Sequence, residues 1–170
     1  MTFDQLYRQY YVQIFKFCYR FAGDQELAGD LTQDTFLKLY IRMKNSNEII
    51  DNPKAWLYRV AGNNCLNSIK KRTRRTEIDN DISIENMELK NPESILLDLE
   101  MKQLLQQSLE QLSPENHALV LMYSDGLSYA EMAEATGIPL NSIGKTLWRS
   151  IEKLANIVKK YEHGQKRTIS

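Results

Sequence analysis

The chain has 170 residues, and its 22 basic and 22 acidic side chains give a formal net charge of zero. This length allows one ordinary domain or two small ones with buried cores. No apolar signal run follows Met1 and no stretch of about eighteen apolar residues occurs, so we expect a cytoplasmic protein without direct membrane insertion. Strand signals are nearly absent and Gly and Pro together number only eleven, which predicts an all-α fold.

The zero net charge hides three charged blocks. Residues 53–75 carry +7, residues 77–115 carry −8, and residues 143–170 carry +5. Anion binding responds to the local field and not to the sum of all charges. The sequence therefore presents two basic blocks that an acidic one separates.

Few residues suit a metal site or catalysis. Cys18 and Cys65 lie in apolar helical patterns, which favours buried, reduced thiols over a disulfide or a metal site. His117 and His163 are the only histidines, and neither an HExxH motif nor a Gly-rich phosphate loop occurs. We therefore expect no metal, no cofactor and no enzymatic activity, and an enzyme is the least favoured class.

The apolar residues are distributed differently in the first two predicted helices. The N-terminal helix is predicted to begin after Thr2, which has capping-box spacing with Gln5, and to end at Gly23. Its buried stripe is predicted to contain Phe3, Leu6, Tyr7, Tyr10, Ile14, Phe17 and Phe21. The next helix, about Gln25 to Lys44, spreads its apolar residues round more than one face. Such a helix is either central to a core or meets a partner, and the pattern leaves both open.

A polar loop, Asn45 to Asn52, precedes a helix predicted from Pro53 to about Arg72. The segment 53–75 contains seven basic residues, no acidic one, and the aromatic residues Trp56 and Tyr58. Basic side chains can displace counterions from phosphates, and flat rings can stack on unpaired bases. The segment therefore suits a nucleic-acid surface, although a solvated helix face is the alternative explanation of such a charge run.

The following residues divide the chain. Residues 76–91 are acidic and lack a sustained helical stripe, which predicts a flexible acidic linker. Two small helical domains, 1–75 and 92–170, are predicted on either side of it. In the second domain, Asn-Pro and Ser-Pro signals predict helices from Pro92 to Leu112 and from Pro114 to Gly126.

Residues 127–151 have the layout of a helix-turn-helix. Ser128 and Glu131 form a capping-box pair that opens a short helix, Gly137 permits the turn, and a last helix runs from about Asn141 to Lys160. A generic helical hairpin is the alternative. In a DNA-binding module, the outer side of the second helix reads the major groove. The side chains that project there are Asn141, Ser142, Lys145, Thr146 and Arg149, with Trp148 flanking them.

Three blocks resemble, in order and in spacing, the extracytoplasmic-function (ECF) sigma factors of the sigma-70 family of bacterial RNA polymerase. They are DLTQDTFLKLY, PKAWLYRVAGNNCLNSIKKR and LSPENHALVLMYSDGLSYAEMAEATGIPLNSIGKTLWRSIEKL. The resemblance covers nearly the whole chain. It implies the second and fourth conserved regions of that family, with the acidic linker where these short members lack the third.

The resemblance implies a subunit that binds core RNA polymerase and directs initiation at a specific set of promoters in a stress or envelope response. Its implied partners are core RNA polymerase, promoter DNA and an anti-sigma factor. The residues implied to bind core polymerase are Asp30, Leu31, Gln33, Asp34, Phe36 and Leu37. Those implied to bind the minus-ten element are Asn47, Trp56, Tyr58, Arg59, Asn63, Asn64, Asn67, Lys70, Lys71 and Arg72. At the minus-thirty-five element, the resemblance adds Ser128 and Tyr129 to the helix-turn-helix residues given above.

A helix-turn-helix regulator that acts without stoichiometric polymerase binding is the alternative function. Such a regulator needs neither a basic-aromatic helix suited to unpaired bases nor a helix with two apolar faces. Both features lie in the N-terminal half, which therefore favours the sigma factor.

Overall fold

The structure is a computed structural model that describes the backbone of residues 1–45, 49–76 and 92–168 and the side chains of 1–45, 49–71, 99–161 and 163–164. These residues form seven helices and no strand, which confirms the all-α prediction. The helices are α1 (Phe3–Ala22), α2 (Gln25–Asn45), α3 (Pro53–Thr76), α4 (Pro92–Glu110), α5 (Pro114–Ser124), α6 (Tyr129–Thr136) and α7 (Leu140–Thr168). The predicted linker lies outside the described residues, apart from the last residue of α3.

Local sequence sets most helix ends. Thr2 and Ser128 each accept a hydrogen bond from the backbone of the third helical residue, and in both capping boxes that residue's side chain accepts one in return. Gly23 and Gly137 end α1 and α6 in the left-handed region, at φ of 70° and 76°.

Two helices extend beyond their predicted ends. The sequence predicts α3 to about Arg72 and α7 to about Lys160, but the helices reach Thr76 and Thr168. Both extensions consist mostly of residues that tolerate helix, and the single Gly164 costs about 1 kcal/mol, which is not enough to stop α7.

The first three helices pack on one another around large apolar side chains. Ile14 and Phe17 of α1, Leu39 of α2 and Leu57 of α3 are fully buried. Tyr7, which was predicted to be buried, is 39% exposed because its ring lies at the edge of the α1–α2 contact.

Cys18 and Cys65 meet inside this core, where α1 lies against α3. Both thiols are fully buried, as the sequence predicts. A hydrogen bond with Cys18 and burial together raise the pKa of the Cys65 thiol well above its usual range.

The last four helices form a second cluster that rests on the first. Leu119, Met132 and Ile143 are fully buried where α5, α6 and α7 meet. α3 packs against α6 and α5, and α1 packs against α5, so one continuous apolar core runs through the two sets of helices. This arrangement places α3 between the N-terminal core and the helix-turn-helix.

Mutations can distinguish the buried face of α2 from its exposed face. Leu39 is fully buried, whereas Leu37 is 54% exposed. We expect Leu39→Ala to lower the free energy of unfolding by about 2–5 kcal/mol through the lost contacts and the cavity left behind. The control Leu37→Ala should change it by less than about 0.5 kcal/mol. Urea unfolding followed by circular dichroism measures both, and equal losses would contradict this assignment of faces.

Candidate polymerase and nucleic-acid interfaces

The outer side of α2 carries an exposed apolar surface. Leu37, Tyr40 and Ile41 are 54%, 47% and 46% exposed. A shallow groove runs beside them between α1 and α2, lined in part by Tyr7, Tyr11, Gln33, Leu37 and Tyr40, and we call it the α2 groove. Contiguous exposed apolar residues of this kind mark interaction surfaces.

The six residues predicted to bind polymerase divide between this surface and the core. Asp30, Gln33 and Leu37 are exposed, and Asp34 is half-buried with its carboxylate 2.9 Å from Lys38. Leu31 and Phe36 are buried, at 8% and 2% exposure. Both side chains belong to the hydrophobic core, and Phe36 also forms part of the lining of the α2 groove.

A polar and basic surface follows the exposed side of α3. Asn63, Asn67, Lys70 and Lys71 are all exposed there. Arg59 is also exposed, and its guanidinium donates a hydrogen bond of 2.6 Å to the carbonyl of Glu134. Asn47 and the side chain of Arg72 lie outside the described residues.

Trp56 lies at the edge of this surface. It is partly buried against the apolar core, and the guanidinium carbon of Arg42 stands 5.9 Å from the centre of its ring. This distance is within the range of a cation–π interaction. One part of the indole therefore packs on protein while the remainder stays accessible.

Tyr58 and Asn64, both predicted to touch DNA, lie inside the molecule. Tyr58 is fully buried, and its hydroxyl donates a hydrogen bond of 2.9 Å to Asp125. Burial, together with the Asp125 charge, raises the pKa of Tyr58 well above its usual range. Asn64 is 6% exposed, donates to Thr35 at 3.0 Å and accepts from Lys38 at 2.6 Å.

Helical spacing explains why these two are buried. Tyr58, Ala61 and Cys65 follow one another at three and four residues, and all are fully buried. This spacing defines one face of a helix. The spacing of these apolar residues could have predicted the buried side of α3 from the sequence. The prediction of DNA contacts considered only the number of aromatic and basic residues.

The helix-turn-helix exposes the predicted reading side of α7. Asn141, Lys145 and Arg149 are exposed, Trp148 is 62% exposed, and Ser142 and Thr146 are partly buried. Of the two residues from α6, Ser128 is the exposed N-cap and Tyr129 is 47% exposed. α6 and α7 approach closely at Gly144, where an added Cβ would lie 3.3 Å from the Tyr129 ring.

Ion pairs join the two sets of helices. Asp125, at the end of α5, accepts from both Arg20 of α1 and Tyr58 of α3. Lys54 of α3 lies 3.5 Å from the carboxylate of Glu131 in α6. Burial opposes ionisation of Glu131, but the Ser128 backbone and Lys54 outweigh it and hold the pKa of this carboxyl below its usual value. The side chain of Asp125 is only 17% exposed.

His117 of α5 also joins the two sets of helices, through a contact with α1. Its ring stacks on Phe21, with the ring centres 4.7 Å apart and the planes 20° apart. Burial lowers the pKa of His117 to about 4, and its Nε2 has no hydrogen-bond partner among the residues that the structure describes. The histidine is therefore a neutral packing residue in the contact between α5 and α1.

Two family models match the chain. Sigma-70 region 2 matches residues 6–75, which contain most of α1, all of α2 and nearly all of α3, and Sigma-70, region 4 matches residues 102–154, which contain the helix-turn-helix. No helix in the described part of the chain is apolar over enough of its length to span a membrane.

Curated relatives and a solved structure agree with these matches. The ECF RNA polymerase sigma factor SigE of Mycolicibacterium smegmatis is 31% identical over 94% of this chain, which spans 63% of that protein's length. The RNA polymerase sigma factor YlaC of Bacillus subtilis is 30% identical over 95% of each chain. The fold is similar to that of the sigma factor RpoE from Bartonella quintana, solved with the anti-sigma factor NepR, at a TM-score of 0.70, 24% identity and coverage of 92% of this chain and 96% of that one.

The chain therefore belongs to the sigma-70 family of RNA polymerase subunits. Within that family it is an ECF sigma factor, a class that acts with RNA polymerase in the promoter-specific initiation of transcription. Sigma factors are initiation factors and not catalysts. The alternative of a regulator that acts without polymerase is not favoured.

The buried His117 should make stability depend on pH. The unfolded chain takes up a proton near pH 6.5, but the folded protein does so only near pH 4. Stability is therefore lost as the pH falls through this window. Relative to a His117→Phe variant, which keeps a ring and takes up no proton, the wild type should lose about 2 kcal/mol between pH 7 and pH 5. Urea unfolding at both pH values measures this, and parallel losses would contradict a buried neutral histidine.

Proposed function

We propose that this sigma factor divides its work among three surfaces on two domains, residues 1–75 and 92–170. The outer side of α2 docks on core polymerase, α3 and the loop before it engage the minus-ten element, and α7 reads the minus-thirty-five element. The observation that carries this proposal is the exposed apolar surface on α2 together with the exposed polar, basic surfaces on α3 and α7.

The polymerase surface is the α2 groove and its margin. Burying the exposed parts of Leu37, Tyr40 and Ile41 would contribute about 25 cal/mol for each Å² of apolar area removed from water. Asp30, Gln33 and Asp34 lie beside them and supply polar contacts at the rim. Leu31 and Phe36 belong to the proposed site as the support that holds this surface in shape.

The minus-ten surface requires both cations and accessible polar groups. Lys70 and Lys71 can contact phosphates, while Asn63, Asn67 and the open part of Trp56 can meet unpaired bases. Arg59 lies on the same surface, and Asn47 and Arg72 join the proposal on the family resemblance. We assign Tyr58 and Asn64 an indirect role in this arrangement, because both side chains are buried and anchor α3 to its neighbours.

The minus-thirty-five surface is the exposed start of α7. Asn141, Lys145 and Arg149 can reach base edges in a major groove, while Ser142 and Thr146 lie closer to the core. The remaining contacts would come from Ser128, Tyr129 and Trp148 at the margins. Because Gly144 lets α6 and α7 approach closely, the reading helix lies directly on its support.

The cellular setting follows from the partners. We propose that the protein works in the cytoplasm, where core polymerase and promoter DNA are found, and that phosphodiester chemistry stays with the polymerase. Regulation by an anti-sigma factor is proposed because the similar RpoE structure contains the anti-sigma factor NepR. A role in a stress or envelope response is proposed on the family resemblance alone.

Polymerase docking can be tested without disturbing the core. Gln33→Ala combined with Leu37→Ala removes two exposed side chains of the α2 groove, and we expect about tenfold weaker binding to core polymerase. The matched control is Gln13→Ala with Val12→Ala, because Val12 is 57% exposed on α1 and does not line the groove. Equilibrium titration with labelled core polymerase measures both, and equal affinities would reject this docking surface.

Promoter reading can be tested at Arg149. If its guanidinium contacts a base edge, Arg149→Ala should reduce discrimination between promoters by about 1–3 kcal/mol. Lys159→Ala removes one exposed positive charge further along α7 and is the control. Competition between promoter variants in transcription by the holoenzyme measures the discrimination. An unchanged preference order with Arg149→Ala would remove this residue from the readout.

A further inference from the structure

We propose that an apolar stripe on the reading helix α7 recognises the 5-methyl groups of thymines in the minus-thirty-five element. Three side chains with exposures of 56%, 62% and 41% form this stripe: Leu140, Trp148 and Ile151. The proposal rests on the minus-thirty-five assignment of α7 made above. It extends that assignment to the chemistry that the upstream element presents.

The stripe adjoins the polar reading side of α7. Its members lie within an arc of about 80° around the helix axis, because successive residues of a helix are about 100° apart. The arc that holds Asn141, Lys145 and Arg149 begins only about 20° beyond Trp148. The two arcs therefore form one continuous exposed side of α7, which is apolar along one edge and polar along the other.

Tyr129 of α6 widens the stripe. Gly144 lies on the same arc between Leu140 and Trp148, and a Cβ added to it would lie 3.3 Å from the Tyr129 ring. Because Gly144 has no side chain, the ring lies close to the α7 backbone, where it is 47% exposed. An aromatic surface thus continues the stripe toward α6.

A major groove that receives the polar arc also receives the stripe. A helix with its side chains is about 10–12 Å across, and the major groove is about 12 Å wide. When Asn141 and Lys145 meet base edges, Trp148 beside them faces the same groove. This position leaves no room for a protein at Trp148, which favours DNA over polymerase as the partner of the stripe.

Thymine offers the stripe an apolar partner. The major-groove edges of the bases present hydrogen-bond donors and acceptors, and thymine adds its C5 methyl group. The side chains of Leu140 and Ile151 have no donor or acceptor, so covering a polar base edge with them leaves that edge unpaired. Contact with a methyl group instead removes apolar area of both partners from water. The stripe therefore selects thymine over the other bases.

The test uses holoenzyme assembled from core polymerase and the full-length chain. A promoter selected from random templates is resynthesised with deoxyuridine in place of each thymine of its upstream element. Deoxyuridine keeps the base pair and lacks only the methyl group. A control template carries deoxyuridine between the two elements. Leu140→Ala with Trp148→Ala truncates the stripe, and the matched control, Met101→Ala with Leu105→Ala, removes side chains of 58% and 49% exposure from α4.

We expect the wild-type holoenzyme to bind the deoxyuridine promoter at least about fourfold more weakly, since burial of one methyl group contributes about that factor in affinity. Its affinity for the control template should not change. The stripe variant should lose most of this sensitivity to deoxyuridine, whereas the α4 variant should keep it. Competition binding measures the affinities. Equal wild-type affinities for the two promoters, undiminished sensitivity in the stripe variant, or an upstream element without thymine would overturn the proposal.

Two further measurements separate the possible failures. Core polymerase without DNA should bind the stripe variant as tightly as the wild type, and weaker binding would assign the stripe to polymerase and overturn the proposal. Arg149→Ala should weaken binding to both promoters while keeping their ratio. If selection of the upstream element survives both Arg149→Ala and the stripe variant, the minus-thirty-five assignment of α7 fails. If it survives the stripe variant alone, only the recognition of methyl groups fails.

Discussion

The structure depends on one helix meeting three demands at once. α3 packs its apolar side against α1 and α2, holds Asp125 of the second set of helices through Tyr58, and keeps Asn63, Asn67, Lys70 and Lys71 exposed to solvent. A helix can do this because a period of about 3.6 residues separates its side chains into distinct faces. The position of the helix-turn-helix relative to the basic surface follows from this arrangement.

Local signals predicted the helices because caps, glycines and periodic apolar residues act over only a few positions. The capping boxes at Thr2 and Ser128 predicted two helix starts that the structure confirms. Burial of Tyr58 was less accessible from the sequence, since the Asp125 carboxylate that receives its hydroxyl is 67 residues away. A residue type that suits DNA contact also suits a buried hydrogen bond, and only the tertiary partner distinguishes them.

The separation of basic from acidic residues along the sequence underlies both the proposed DNA surfaces and the ion pairs between the two sets of helices. Within the fold, Lys54 of the basic block on α3 faces Glu131, and Arg20 of α1 faces Asp125. Carboxylates of the chain therefore attract cations of the kind that also suit DNA phosphates. The exposed apolar side chains of Leu37, Tyr40 and Ile41 on α2 take no part in these ion pairs.

The central claim is that this chain gives core polymerase its choice of promoter through two separate DNA surfaces. Transcription in vitro by core polymerase with the full-length chain, on a library of random promoters, tests this most directly. The account predicts that the enriched templates share two separated elements, and that Arg149→Ala relaxes selection at the upstream element alone. Templates no more enriched than with core polymerase alone, or sharing a single element, would contradict it.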